Sequence, residues 1–230
     1  MNKHLVLLGM LLAAWRPSGA QLPGLSTQKV LFENELVRVI EISMAPGVAE
    51  AKHSHGRGVT IALTDYDNQL TTYPDRTVDR RHTKFGEVRW AEPVTHEARN
   101  TGTTEQRVIR IELKRDAPPA VPVTGLVTER PDPLDSLVVC KDTQTLIFEN
   151  QYVRVIREKV PPGVAQPMHR HRHGILAPLA DAEIESVDEG GGQPVRRQLK
   201  FGDASWREPV VHAVRNVGKT ELFNIRVELK

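Results

Sequence analysis

Two histidines two residues apart, His53 and His55, close the stretch Gly47-Val48-Ala49-Glu50-Ala51-Lys52-His53-Ser54-His55. On a β-strand, residues i and i+2 point to the same face, so the two imidazoles project side by side. A third, His96, follows in Trp90-Ala91-Glu92-Pro93-Val94-Thr95-His96-Glu97-Ala98-Arg99-Asn100. The set recurs 116 positions later as His169, His171 and His212. Imidazole suits zinc, copper, iron and nickel. Three protein ligands leave positions open at the ion, the pattern of a catalytic centre and not of a closed structural one. A lone histidine is more often a satisfied polar residue than a ligand. Here six of nine histidines fall into two equally spaced triads, and that pairing carries the metal reading.

The elements that must position these residues are themselves duplicated. Setting Leu31–Lys114 over Ile147–Lys230 needs no gap. Phe32-Glu33-Asn34 meets Phe148-Glu149-Asn150, Pro46-Gly47-Val48-Ala49 meets Pro162-Gly163-Val164-Ala165, and Arg110 and Glu112 meet Arg226 and Glu228. Roughly two positions in five are identical, which marks two homologous domains. Each repeat reads as β-structure. Val37, Val39 and Ile42 among charged residues predict half-buried strands with one solvated face. Asn34 and Asn150 predict chain reversals, and Phe85-Gly86-Glu87 and Phe201-Gly202-Asp203 predict tight turns. Asn100-Thr101-Gly102 and Asn216-Val217-Gly218 predict hairpin turns into the last strands. Leu137-Val138-Val139-Cys140 is expected to open the second half as a strand, as Ser26–Val30 opens the first. Long amphipathic helical patterns are absent, so the class is all-β, a sandwich or a barrel.

The ends and the middle are different in kind. Lys3 and His4, the apolar run Leu5–Ala14 and the small residues Ser18-Gly19-Ala20 have the order of a secretory signal peptide, over residues 1–20. The expected location is secreted or periplasmic. The apolar run is too short to span a bilayer. Without these residues, 31 basic side chains lose Lys3 and Arg16 and the net charge falls from +2 to 0. A neutral chain has no electrostatic footprint for nucleic acid or an anionic membrane. Cys140 is the single cysteine, which excludes an intrachain disulfide and a cysteine-ligated zinc site. Residues 116–136 hold five prolines and read as a semi-rigid connector between a domain over 21–115 and one over 137–230.

Gly47-x5-His53-x-His55 with the distal His96-x3-Asn100 resembles the two signature motifs of the cupin superfamily. Gly163, His169, His171, His212 and Asn216 repeat them. The resemblance implies two tandem jelly-roll β-barrels, a bicupin, with a divalent transition metal (iron, zinc, manganese, nickel or copper) held by each triad. The family's glutamate ligand follows the second histidine by four or five residues. Those positions are Val59 and Thr60 in one half and Ile175 and Leu176 in the other, so the expected centre is three neutral imidazoles. Three-histidine centres of this kind occur in cupin dioxygenases for thiols, diketones and gentisate. The resemblance thus implies a metal-dependent dioxygenase acting on a small chelating substrate. A non-catalytic small-molecule or metal-binding cupin, and a metal-dependent isomerase or lyase, stay open beside it.

No residue beyond the triads is assigned to catalysis. Around them, His173, Arg57, Trp90 and Trp206 are candidates for a supporting layer. His173 lies two residues beyond His171, where it can share its face. A solvated loop position is the plainer reading, and buried packing is the plainer reading of both tryptophans. Arg57, Arg170 and Arg172 flank the histidine strands, where they can steer an anionic ligand. The extra histidine and arginines favour the second half as the more elaborate site. The chain is expected to be a monomer or a homodimer, since two fused barrels can imitate a cupin dimer.

Overall fold

The structure, a computed structural model, describes residues 26–114 and 132–230. The expected signal segment and most of the proline-rich connector lie outside the described residues. The first half contains β1 (Thr27–Glu33), β2 (Val37–Met44), β3 (Ala49–His55), β4 (Gly58–Ala62), β5 (Tyr66–Tyr73), β6 (Thr77–Thr83), β7 (Val88–Ala91), β8 (Val94–Asn100) and β9 (Gln106–Leu113). The second begins with a short helix, α1 (Ser136–Val139). It continues through β10 (Gln144–Glu149), β11 (Val153–Val160), β12 (Ala165–His171), β13 (Gly174–Pro178) and β14 (Ala182–Asp188). It ends with β15 (Val195–Leu199), β16 (Ser205–Arg207), β17 (Val210–Asn216) and β18 (Leu222–Leu229). Among the described residues no helix is long and apolar enough to cross a membrane.

Each half stacks two antiparallel sheets. In the first they run β1-β2-β9-β4-β7 and β3-β8-β5-β6; in the second, β10-β11-β18-β13-β16 and β12-β17-β14-β15. The ladders leave these sheets separate, so each half is a jelly-roll sandwich, not the closed barrel expected from the motif. Nor do the turns at Asn100 and Asn216 close hairpins. β8 lies in the four-stranded sheet and β9 in the five-stranded one, so each turn carries the chain from one sheet to the other. Asn100 is fully buried there. Its Nδ2 donates to the carbonyls of Met44 and Thr104 at 2.8 Å, and its Oδ1 accepts from the Gly102 amide. Asn216 repeats the pattern with Val160, Thr220 and Gly218.

Residues 137–139, expected as a strand, are helical because Asp135 caps them: its carboxylate accepts from the Leu137 amide at 2.8 Å. The opening strand of the second half is β10, the true counterpart of β1. Residues 132–135 are fastened to the second half. The Leu134 carbonyl accepts from the Arg170 amide at 2.7 Å, and Asp135 pairs with Arg154.

The expected solvated face of β2 is also absent. Val37 and Val39 on one face, and Ile40 and Met44 on the other, are all 0–1% exposed. The outer faces of the two five-stranded sheets lie against one another. Val37, Val39, Ile61 and Ile111 join Val153, Val155, Ile175 and Val227 in one core. Burying apolar faces of that extent is the principal force holding the halves together.

Candidate metal centres

The triads form where a bulge and a register meet. His53 on β3 faces His96 on β8 directly, and His55 follows two residues on. Three Nε2 atoms converge: His53 to His55 at 3.1 Å and His53 to His96 at 3.1 Å. His169 faces His212 in the same way between β12 and β17. Among the described residues these two triads are the groups of three or more ligating side chains close enough to share one ion.

The hydrogen bonds decide the tautomers. His53 Nδ1 lies 2.7 Å from the Ala51 carbonyl, and His55 Nδ1 lies 2.6 Å from Glu112 Oε1. A carbonyl and a carboxylate only accept, so both Nδ1 atoms carry the proton and both Nε2 atoms are bare. Two lone pairs 3.1 Å apart do not hydrogen-bond each other. They suit a cation between them, since metal–nitrogen bonds of about 2.1 Å set neighbouring donors about 3 Å apart. In the second half His169 Nδ1 is held by the Pro167 carbonyl and His171 Nδ1 by Glu228, each at 2.7 Å. The Nε2 atoms of His169 and His212 are buried with no hydrogen-bond partner. The residues present therefore fit a divalent metal in both halves.

Burial favours the neutral form of four of the six imidazoles. It pushes His96 down to about 4, with help from His53 and His55 nearby, and His212 down to about 3, with help from His169 and Arg226. His169 and His171 are lowered by burial too. Glu112 is desolvated, yet the His55 hydrogen bond and Arg110 hold it below the usual carboxylate range. Arg110 Nε donates to it at 3.1 Å. Such partners fix ring orientation and raise ligand basicity.

Glu112 and Glu228 were legible only as a repeated pair near the end of each half, with no role attached. They reach the histidines because β4 lies against β9 with Gly58 opposite Glu112. A Cβ at Gly58 would sit 1.8 Å from the Ile111 carbonyl oxygen, and one at Gly174 would sit 2.0 Å from that of Val227. Only glycine permits this approach.

The four supporting candidates stand apart from the triads. Trp90 borders the first cavity, but its ring stacks on Tyr152 of the other half, with centroids 5.4 Å apart. Arg57 packs over the same Tyr152 ring and bonds its hydroxyl. Trp206 stacks on Phe32 across the halves and on His173 at 5.5 Å. These residues clamp the two halves together. Arg170 turns outward to Asp132.

The larger cavity opens on the first triad, not the second. It measures about 390 Å³ against about 140 Å³. Small or polar Thr60, Asn68, Thr83 and Ala98 line the first; Leu176, Ile184, Leu199 and Val214 stand in their places in the second. The aliphatic side chains fill the space, and they form a second apolar cluster with Val160, Ala182 and Leu222.

No protein-family model and no curated protein sequence matches the chain. Solved structures do. The oxalate decarboxylase of Lactobacillus farciminis, in a formate complex, matches with a TM-score of 0.58 at 10% identity, over 89% of this chain and 80% of its own. A cupin 2 conserved barrel domain protein from Leptotrichia buccalis matches with 0.54 at 8% identity, over 92% of both chains. A mutant of salicylate 1,2-dioxygenase from Pseudoaminobacter salicylatoxidans matches with 0.53 at 9% identity, over 84% of this chain and 70% of its own. At these identities the likeness is one of fold. Four antiparallel sheets, paired in two repeated sandwiches and matched over nearly the whole described chain, give this protein the cupin fold twice in tandem.

Proposed function

We propose that the chain is an exported, metal-dependent cupin whose first half acts on a small chelating substrate by a dioxygenase-type oxidation. The observation that carries this reading is the first triad itself, three converging imidazoles of which His55 and His96 line a cavity of about 390 Å³. His53, His55 and His96 would hold the ion; His169, His171 and His212 would hold a second in the smaller cavity. The ion supplies a Lewis acid with open positions for a substrate and for dioxygen.

The chain's own residues do the rest. Ala51 and Glu112 keep the Nε2 lone pairs turned toward the ion. Arg110 and Arg81 line the cavity beside Glu50 and Glu92, Arg110 paired with Glu112 and Arg81 with Asp79. The side-chain carbonyl oxygens of Asn68 and Gln106 are buried at the cavity with no hydrogen-bond partner, so they can accept from hydroxyl groups of the substrate. Ile42 and Val108 form an apolar wall that keeps water from the ligand.

The test is metal analysis of protein purified without oxygen or chelator, then oxygen consumption with diketones, thiols and catechol-type acids. We expect consumption that His96→Ala abolishes and His212→Ala leaves largely intact. Turnover without oxygen would move the chain to the isomerase or lyase class. A loaded protein inert toward the whole panel would make it a binding module.

A further inference from the structure

Both histidine strands carry a bulge three residues before the direct histidine pair. In β3 the register passes from Glu50 opposite Ala98 to His53 opposite His96, so two residues of β3 face one of β8. An odd spacing of three would ordinarily send Glu50 to the opposite face. The bulge reverses that parity and brings Glu50 to the side of His53 and His55. Its side chain is 12% exposed and lines the first cavity. Oε1 accepts from Ser26 Oγ, and Oε2 stands 3.7 Å from His53 Nε2.

The second half has the same bulge, between Gln166 and His169. The residue in the place of Glu50 is Gln166, 2% exposed, with Nε2 donating to Thr143 Oγ1 at 2.9 Å. The two side chains have nearly the same shape and differ by one negative charge. The expectation of two identical centres therefore fails at this position, and it fails again at Ile42 of the first half, where the second half has Glu158 lining its cavity.

We propose that this exchange makes the triads two different metal sites: Glu50 gives the first a free carboxylate oxygen beside its imidazoles, whereas Gln166 offers the second an amide there, and the carboxylate that does line the second cavity, Glu158, is held by Gln144 and Asn224. A carboxylate this close stabilises a divalent ion by charge alone, and least screened where the site is partly closed to water. An oxygen donor also shifts preference toward harder ions such as Mn²⁺, whereas an all-imidazole set favours Zn²⁺ or Cu²⁺. The first site is the one that stays loaded when metal is scarce, and it is the one that opens on the larger cavity.

The proposal rests on the triads being metal sites, and its test separates the two ideas. Co²⁺ alone is titrated into the chelator-stripped full chain and followed by calorimetry and visible absorption. His212→Ala isolates the first triad and His96→Ala the second. The first triad is expected to bind about tenfold or more tightly than the second. In the first, Glu50→Gln should erase that advantage and shift the visible bands. In the second, Gln166→Glu should tighten binding by a similar factor. Equal affinities for the two isolated triads overturn the proposal. So does a Glu50→Gln variant with wild-type melting, affinity and absorption. Should Glu50→Gln fail to fold, the Gln166→Glu arm decides, and no gain there overturns it. Absence of Co²⁺ binding at both triads overturns the metal reading itself, and this proposal with it.

Discussion

The two triads share residue types, spacing and tautomer-setting partners, yet their surroundings differ in openness. His169, His171 and His212 are 0%, 3% and 9% exposed. The His53 side chain is 23% exposed, and His55 and His96 line a cavity almost three times larger. The second site is closed by aliphatic side chains at four positions where the first has threonine, asparagine, threonine and alanine. Duplication preserved the ligands, while the walls diverged. The lesson is that a ligand motif identifies a metal site, but the side chains opposite it decide whether anything else can enter.

Substitutions and titrations can tell the two centres apart. The largest effect is loss of an ion. His96→Ala and His212→Ala should each remove one equivalent of metal by elemental analysis, and a double variant should remove both. Unchanged content in either single variant ends the assignment for that half. Next is Gly58→Ala, whose Cβ would stand 1.8 Å from the Ile111 carbonyl oxygen. The strands must separate, at a loss of about 3 kcal/mol in denaturant unfolding. A midpoint like that of wild type would show that β4 and β9 can yield.

Glu112→Gln and Glu228→Gln should then weaken the metal affinity of their own half by about 10–100-fold and leave the other half unchanged. Calorimetry on the single-triad backgrounds reads this directly. Equal losses in both halves from one substitution would mean that the centres are coupled.

The smallest change is one of slope. In the stripped protein, burial holds His96 at about 4 and His212 at about 3, against 6.5 for an ordinary histidine. Between those values the unfolded chain takes up protons that the fold refuses, so stability should fall as pH drops from about 6.5 toward 4. Melting temperature against pH measures this, and His96→Ala should flatten part of the slope. A flat profile in the unsubstituted protein would show that the triads open and protonate without unfolding.

The triads were legible in the sequence, since alternation on a strand puts His53 beside His55 whatever surrounds them. So were the duplication, the turns at Asn34 and Asn150, and the all-β class. Three features needed the tertiary structure. Glu50 joins the first site through a bulge, which changes strand parity without leaving a mark in the spacing. Glu112 reaches His55 across 57 positions, through a register that the Gly58 approach permits and no local pattern encodes. Leu176, Ile184, Leu199 and Val214 read as ordinary strand residues until the fold turns them toward the second triad. The same holds for Val37 and Val39, whose charged neighbours suggest a solvated face. They are buried because the second half lies against them, and burial between distant segments is a property of the assembled fold that no window of sequence contains.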